Sequence, residues 1–307
     1  MKMKNSLGNG KQNLSRQNFS RQNIARQNIA KQGGFFHLPN DNMVKTIGVA
    51  TLLCLVCSVI VSGAATILKP TQVANALLDK KKNILAVSGI DLSGRSVDEA
   101  FSKIETKVVD MANGEFTDAV DPATFDQRKA SKDPEYRVEL SASQDIAQIG
   151  GRSKYASIYL VKEGAAVQKI ILPIKGYGLW STLYGFIALE SDGNTVSGIT
   201  FYDHKETPGL GGEIENKKWQ ASWKGKKLGD ATGVPSLKVM KGAVNYDAEG
   251  SEYQIDGLAG ATLTSNGVTN LVQFWMGEDG FGPYLRKVRA NNSQASTYGD
   301  ATRQERG

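Results

Sequence analysis

Between Lys45 and Lys69 the chain runs for 23 residues, Thr46 to Leu68, without a charged side chain. At about 1.5 Å of rise per residue, a helix of that length crosses a hydrocarbon layer of about 30 Å with some tilt. A helix is the natural choice there, because backbone polar groups in lipid must be satisfied within the segment itself. The stretch is longer than the apolar part of a secretory signal. Although Ser62-Gly63-Ala64-Ala65 carries the small residues of a cleavage site, the segment reads as an uncleaved single anchor. Both cysteines, Cys54 and Cys57, lie inside it. Their C-x-x-C spacing has no polar setting and no second pair, so they read as small apolar residues on a lipid-embedded helix. The rest of the chain has no cysteine, which excludes disulfides and thiolate-held iron–sulfur clusters from the extramembrane part.

The net charge of +6 points to a basic protein, but the surplus is local. Residues 1–45 hold eight basic side chains against one acid, Asp41, and the remainder is close to neutral. The charge therefore gives no argument for nucleic acid. Within this tail a five-residue unit repeats, as Asn13-Leu-Ser-Arg-Gln17, Asn18-Phe-Ser-Arg-Gln22, Asn23-Ile-Ala-Arg-Gln27 and Asn28-Ile-Ala-Lys-Gln32. One apolar residue in five makes no continuous helical stripe, and the composition is too polar to bury a core. Residues 1–45 are expected to be a disordered tail. It serves either as a cationic arm on anionic lipid headgroups or in no specific role. Counted over the whole segment, its basic residues place the N-terminus in the cytoplasm. The local count does not, since residues 26–45 hold three basic side chains and residues 69–88 hold four.

After the span, Thr71 to Leu85 reads as an amphipathic helix. Residues 69–150 read as an extramembrane α/β segment, in which helix-like Val97 to Val109 precedes the turn signals Asp121-Pro122 and Asp133-Pro134. From Ala156 the texture changes. Tyr155 to Val161, Ala166 to Leu172, Leu183 to Leu189 and Val196 to Phe201 are short apolar or β-branched runs. They are separated by Lys162-Glu163-Gly164, Lys175-Gly176-Tyr177-Gly178 and Ser191-Asp192-Gly193-Asn194, which is turn chemistry. An antiparallel meander with flanking helices over residues 151–289 follows, then a flexible tail over residues 290–307. The fold class is α+β.

The densest chemical signal is Asp256-Gly-Leu-Ala-Gly-Ala-Thr-Leu-Thr-Ser-Asn266, a loop of small residues entering a helix. Val268, Leu271, Val272, Trp275 and Met276 form one apolar face of that helix. Thr264 or Ser265 reads as its N-cap and Gly277 as its stop. Small side chains let an anion approach the backbone, and free N–H groups with the helix dipole favour a phosphate there. With only His37 and His204 in the chain, neither a histidine metal site nor a Ser-His-Asp triad is supported.

The string Asp256-Gly257 followed by Gly260-Ala261-Thr262-Leu263-Thr264 closely resembles the motif at which flavin transferases esterify a threonine with the phosphate of FMN. Lys175-Gly-Tyr-Gly-Leu-Trp180-Ser181-Thr182 and His204-Lys-Glu-Thr-Pro-Gly-Leu-Gly-Gly212 resemble the flavin-contacting loops of the C-subunit family of the sodium-translocating NADH:quinone reductase. The corresponding G-subunit of the related Rnf complex shares much of the pattern, although the long region from 91 to 150 is closer to the former. The resemblance runs from the span to about Arg286 and is most specific over residues 175–266. It implies an FMN held covalently on Thr262, with Thr264 second to it as acceptor. Gly178, Leu179, Trp180, Ser181, Thr182, Glu206, Thr207, Gly209, Leu210, Gly260, Ala261, Leu263 and Thr264 would be the flavin-binding residues around it.

Ala259 stands where the family usually has serine or threonine, which weakens a local hydrogen bond without touching the acceptor. Physically, Leu179 and Trp180 offer apolar surface to an isoalloxazine ring, and Gly176, Gly178, Gly209, Gly211 and Gly212 offer close backbone approach. The implied role is an electron relay in a bacterial inner-membrane complex that oxidises NADH, reduces ubiquinone and moves sodium. The flavin domain would be periplasmic, and the partners would be the other subunits, a maturing flavin transferase and membrane lipid. NADH would bind another subunit, since no dinucleotide fingerprint is present here. An unflavinylated, membrane-anchored scaffold domain is the alternative from another class.

Overall fold

The structure, a computed structural model, describes residues 42–230 and 232–292. The basic repeat tail up to residue 41 and the C-terminal tail from residue 293 lie outside the described residues. The chain divides into two units, Met1–Ala74 and Asn75–Gly307.

In the first unit lies most of α1 (Met43–Ser88), which Asn42 opens by accepting the Val44 N–H at 2.9 Å. This helix is long and apolar enough to cross a membrane, with a mean hydropathy of 2.4 over its most apolar stretch, none of which is buried. The helix expected over Thr71 to Leu85 is not separate from it. Pro70 sits inside one continuous 46-residue helix. Proline removes a single N–H donor and crowds one carbonyl, and the helix continues on both sides of that local defect. The helix ends at Gly89, whose φ of +75° suits a residue without a side chain.

The second unit begins within the same helix and is built on a six-stranded antiparallel sheet. Ser96 and Glu99 form a capping box that starts α2 (Val97–Phe101). The helical reading of Val97 to Val109 stops there. Ile104-Glu-Thr-Lys-Val-Val is rich in β-branched residues and runs as β1 (Ile104–Asp110) against a long central strand, so pairing overrides the helical spacing. Then come β2 (Glu115–Phe116), α3 (Gln127–Ala130), β3 (Arg137–Glu139) and β4 (Gly151–Ser153), with β3 and β4 paired. The expected meander follows as β5 (Tyr155–Glu163), β6 (Ala166–Tyr177), β7 (Thr182–Glu190) and β8 (Val196–Asp203). The strand order is β2-β1-β5-β6-β7-β8, so the sheet takes in residues on both sides of position 150.

The remaining elements are α4 (Lys217–Ala221), the short parallel pair β9 (Lys238–Val239) and β10 (Gln254–Ile255), α5 (Thr262–Met276), and a helical stretch over 282–292. Both faces of the sheet are covered. Ile170, Leu172 and Ile174 of β6 belong to the core shared with α5, whereas Ile171 joins Ile84, Leu85 and Val87 of α1 and Phe186 on the other side. Strands buried on both faces read as continuous apolar runs, which is why they stood out in the sequence. The predicted apolar face of α5 (Val268, Leu271, Val272, Trp275, Met276) is buried, and the Trp275 indole N–H donates to the Lys175 carbonyl at 2.7 Å.

Candidate functional site

Three segments far apart in sequence meet at one end of the sheet. The first is the tight turn joining β6 to β7. It is closed by the Gly178 N–H donating to the Ser181 carbonyl at 2.8 Å, with Thr182 opening β7 opposite Tyr177. The second is the loop after β8. The Lys205 N–H donates to the Ser181 hydroxyl at 2.7 Å, and the Glu206 carboxylate receives N–H groups from the turn. Thr207 lies exposed in this loop, and its carbonyl accepts from Leu210 and Gly212. The third is the start of α5, where the Thr264 hydroxyl donates to Glu206 at 2.7 Å. A Cβ on Gly260, whose φ is +71°, would lie 3.0 Å from Leu210 Cδ2, so the second and third segments also touch beyond Glu206.

The helix begins earlier than its hydroxyl pattern predicts. Thr262 is its first residue and Ala261 its N-cap, with no side-chain cap. Thr264 and Ser265, expected as caps, are buried inside the first turns. Thr264 is bound to Glu206, while the Ser265 hydroxyl accepts the Leu258 N–H at 3.2 Å. A cap needs a side chain free to reach back over the helix start, and both hydroxyls are committed elsewhere. Ala261 is buried as well, whereas Thr262, Leu263 and Gly260 are exposed. The outcome is an open helix N-terminus carrying one exposed hydroxyl, that of Thr262.

The rim of these three segments exposes large apolar side chains. Trp180 is 65% exposed and Leu263 58% exposed, and Leu179, Leu210 and Tyr177 are exposed as well. Large aromatic and aliphatic side chains cost free energy when left in water, so such a rim marks a surface made to be covered. An exposed hydroxyl at uncapped helical N–H groups, beside an apolar rim, fits a flavin nucleotide with its anionic phosphate and flat ring. Gly209, with a φ of +76°, has nothing within 4 Å of where a side chain would begin, so the loop is open on this side. Gly178 and Gly211, expected to admit a ligand, make room for the protein itself. A Cβ would lie 2.6 Å from Glu206 Oε1 at Gly178 and 2.5 Å from Thr264 Oγ1 at Gly211.

The surrounding groups hold the loops in place. His204 Nδ1 accepts the Glu206 N–H at 3.1 Å, and its Nε2 lies 3.0 Å from a Glu215 carboxylate oxygen, so the ring bridges two parts of the loop. Asp256, which opens the attachment motif, accepts the Val244 N–H at 2.7 Å and the Tyr246 hydroxyl at 2.6 Å. That hydrogen bond, with burial, pushes the Tyr246 phenol up to about 12. On β6 behind the turn, burial and then the charges of Arg137, Lys132 and Arg128 push the Lys175 ammonium down to about 8. Sequence reading missed Gly267. A Cβ there would meet the Tyr177 carbonyl at 2.4 Å, so α5 packs directly on the hairpin end. The available signal was a glycine inside a helical pattern, which is tolerated there at a cost of about 1 kcal/mol and usually marks close packing.

Comparison with known proteins agrees with this geometry. The family model described as FMN-binding domain matches residues 178–277, from the hairpin turn to the glycine that ends α5. The C-subunit of the Na(+)-translocating NADH-quinone reductase of Vibrio vulnificus is 54% identical over 251 residues, covering 81% of this chain and 97% of that one. The chain belongs to the Na(+)-translocating NADH-quinone reductase C-subunit family. Its relative from Pseudomonas aeruginosa is 51% identical over 253 residues, with 81% and 97% of the two chains covered. Among solved structures, Shewanella oneidensis NqrC superposes with a TM-score of 0.63 at 31% identity, covering 68% of this chain and 96% of that chain. In this C-subunit family member the candidate flavin-binding residues, from Gly178 to Thr264, all fall inside the FMN-binding match.

Proposed function

We propose that this chain is an electron-relay subunit of a membrane NADH:ubiquinone reductase coupled to sodium movement, and that it carries FMN as a phosphoester on Thr262. The observation that carries this reading is the exposure of Thr262 at a helix start without a side-chain cap, while Thr264 and Ser265 beside it are buried with their hydroxyls engaged. FMN supplies the redox chemistry, accepting and passing on electrons. The protein supplies attachment, orientation and a setting for the potential. The N–H groups at the start of α5 complement the phosphate charge. Leu179, Trp180, Leu210 and Leu263 give the ring an apolar surface, and Gly178, Ser181, Thr182, Thr207, Gly209, Gly260 and Ala261 shape the loops around it. No residue of this chain need act as acid, base or nucleophile during turnover. A tethered cofactor suits an exposed site, because it does not dissociate between turnovers.

In this reading residues 46–68 span the inner membrane, residues 1–45 are cytoplasmic and residues 151–289 hold the flavin on the periplasmic side. The basic surplus of the N-terminal segment supports that orientation. Other subunits bind NADH and quinone, and a flavin transferase installs the cofactor. The test is in-gel flavin fluorescence of protein made with an active flavin transferase and then boiled in detergent. A band is expected from the native chain and none from Thr262→Val. A band of full intensity from that variant moves the bond to another hydroxyl.

A further inference from the structure

The turn that carries Leu179 and Trp180 is tied to the helix that carries Thr262 through one buried side chain. Glu206 is 5% exposed and lies between them. Its Oε1 accepts three successive N–H groups, from Leu179 at 3.1 Å, Trp180 at 2.9 Å and Ser181 at 3.3 Å. Its Oε2 accepts the Thr264 hydroxyl at 2.7 Å, and Thr264 is itself fully buried. Thr264 and Thr262 share the first turn of α5. Three consecutive N–H groups on one oxygen fix the orientation of the turn's peptide planes, and with them the directions in which its side chains leave. All three N–H groups share this one acceptor, so losing it loosens all three at once.

We propose that Glu206 is a positioning residue, holding the apolar turn in one fixed relation to the Thr262 hydroxyl so that a group borne on Thr262 meets Trp180 and Leu179 in a single geometry. It acts through the turn and through Thr264. This rests on the reading of Thr262 as the flavin attachment point. The clasp itself belongs to the protein with or without flavin, and it can be measured in both forms.

The experiment uses the full chain in detergent, as the native sequence and as Glu206→Ala, Glu206→Gln and Thr264→Val. Each is made in the flavinylated form and on a Thr262→Val background that leaves the site unloaded. Amide hydrogen exchange of the peptide covering residues 178–182 reads the clasp without flavin. Exchange roughly tenfold faster is expected in Glu206→Ala, with native-like protection in Glu206→Gln, which keeps the acceptor oxygen facing the three N–H groups.

In the loaded protein, flavin anisotropy decay reads the geometry. Glu206→Ala and Thr264→Val should each add a fast component to the decay of the flavin that is attached, read per flavin bound, and Glu206→Gln should restore most of the native decay. Native exchange and native anisotropy in both Glu206→Ala and Thr264→Val, with folded circular dichroism, overturn the proposal. If Glu206→Ala does not fold, Thr264→Val and Glu206→Gln decide alone. Fast exchange in the unloaded variants together with a native chain that bears no flavin supports the clasp and defeats the attachment reading instead.

Discussion

At the residue scale the chemistry comes down to which hydroxyl is free. Thr262, Thr264 and Ser265 crowd the start of one helix, and the fold gives each a different state. Thr262 is exposed, Thr264 is bound to Glu206, and Ser265 is bound to the Leu258 amide. Replacing Thr264 by valine keeps the volume but leaves Glu206 Oε2 without its donor. A loss of about 1–3 kcal/mol in denaturant unfolding is expected, with flavin attachment retained. Lys175 gives a pH test. Its folded value of about 8 lies below the ordinary 10.5, so the unfolded chain binds more protons between those values and stability rises with pH across that window. The penalty below pH 8 is at most about 3 kcal/mol. Denaturation midpoints measured from about pH 7.5 to 10 should climb in the native chain and flatten in Lys175→Met; parallel curves for the two proteins contradict this.

At the element scale, the closeness of α5 to the β6–β7 hairpin sets the site. Gly267 lets the helix touch the Tyr177 carbonyl, and Leu271, Val272 and Trp275 bury its face. Leu271→Ala is expected to cost about 2–5 kcal/mol in equilibrium unfolding, because the void at a fully buried position does not collapse. Gly267→Ala should disturb the site as well as stability. Its methyl group would push the helix off the hairpin and shift exchange protection in residues 177–181.

Much of this scale was legible in the sequence. The four strands of the meander were bounded by turn residues whose chemistry is local, and the face of α5 followed from its spacing. What was not legible depended on contacts from afar. Ile104 to Asp110 becomes a strand because β5 lies beside it, and α1 runs through Pro70 although proline and the threonine after it are boundary signals in the sequence. The glycines at 178 and 211 were visible as a site feature. That they admit Glu206 and Thr264 in place of a ligand needed the partner side chains, whose positions no local pattern records.

At the scale of the whole molecule, the chain joins a helix long and apolar enough to cross a membrane to a domain that matches the FMN-binding family. Its place in the C-subunit family rests on half-identical relatives covering 81% of its length. The orientation proposed here gives a separate test. With Cys54 and Cys57 replaced by alanine, a cysteine placed at exposed Ser93 should react with an impermeant maleimide added to intact cells with a permeabilised outer membrane. Labelling only after lysis reverses the topology.

The central claim is a covalent bond at one threonine, and the mass of the peptide containing Thr262 reads it most directly. In protein made with an active flavin transferase, that peptide should gain the mass of FMN less one water, with fragment ions placing the addition on Thr262. The unmodified mass alone, or fragments placing the addition on any other residue, contradicts the account.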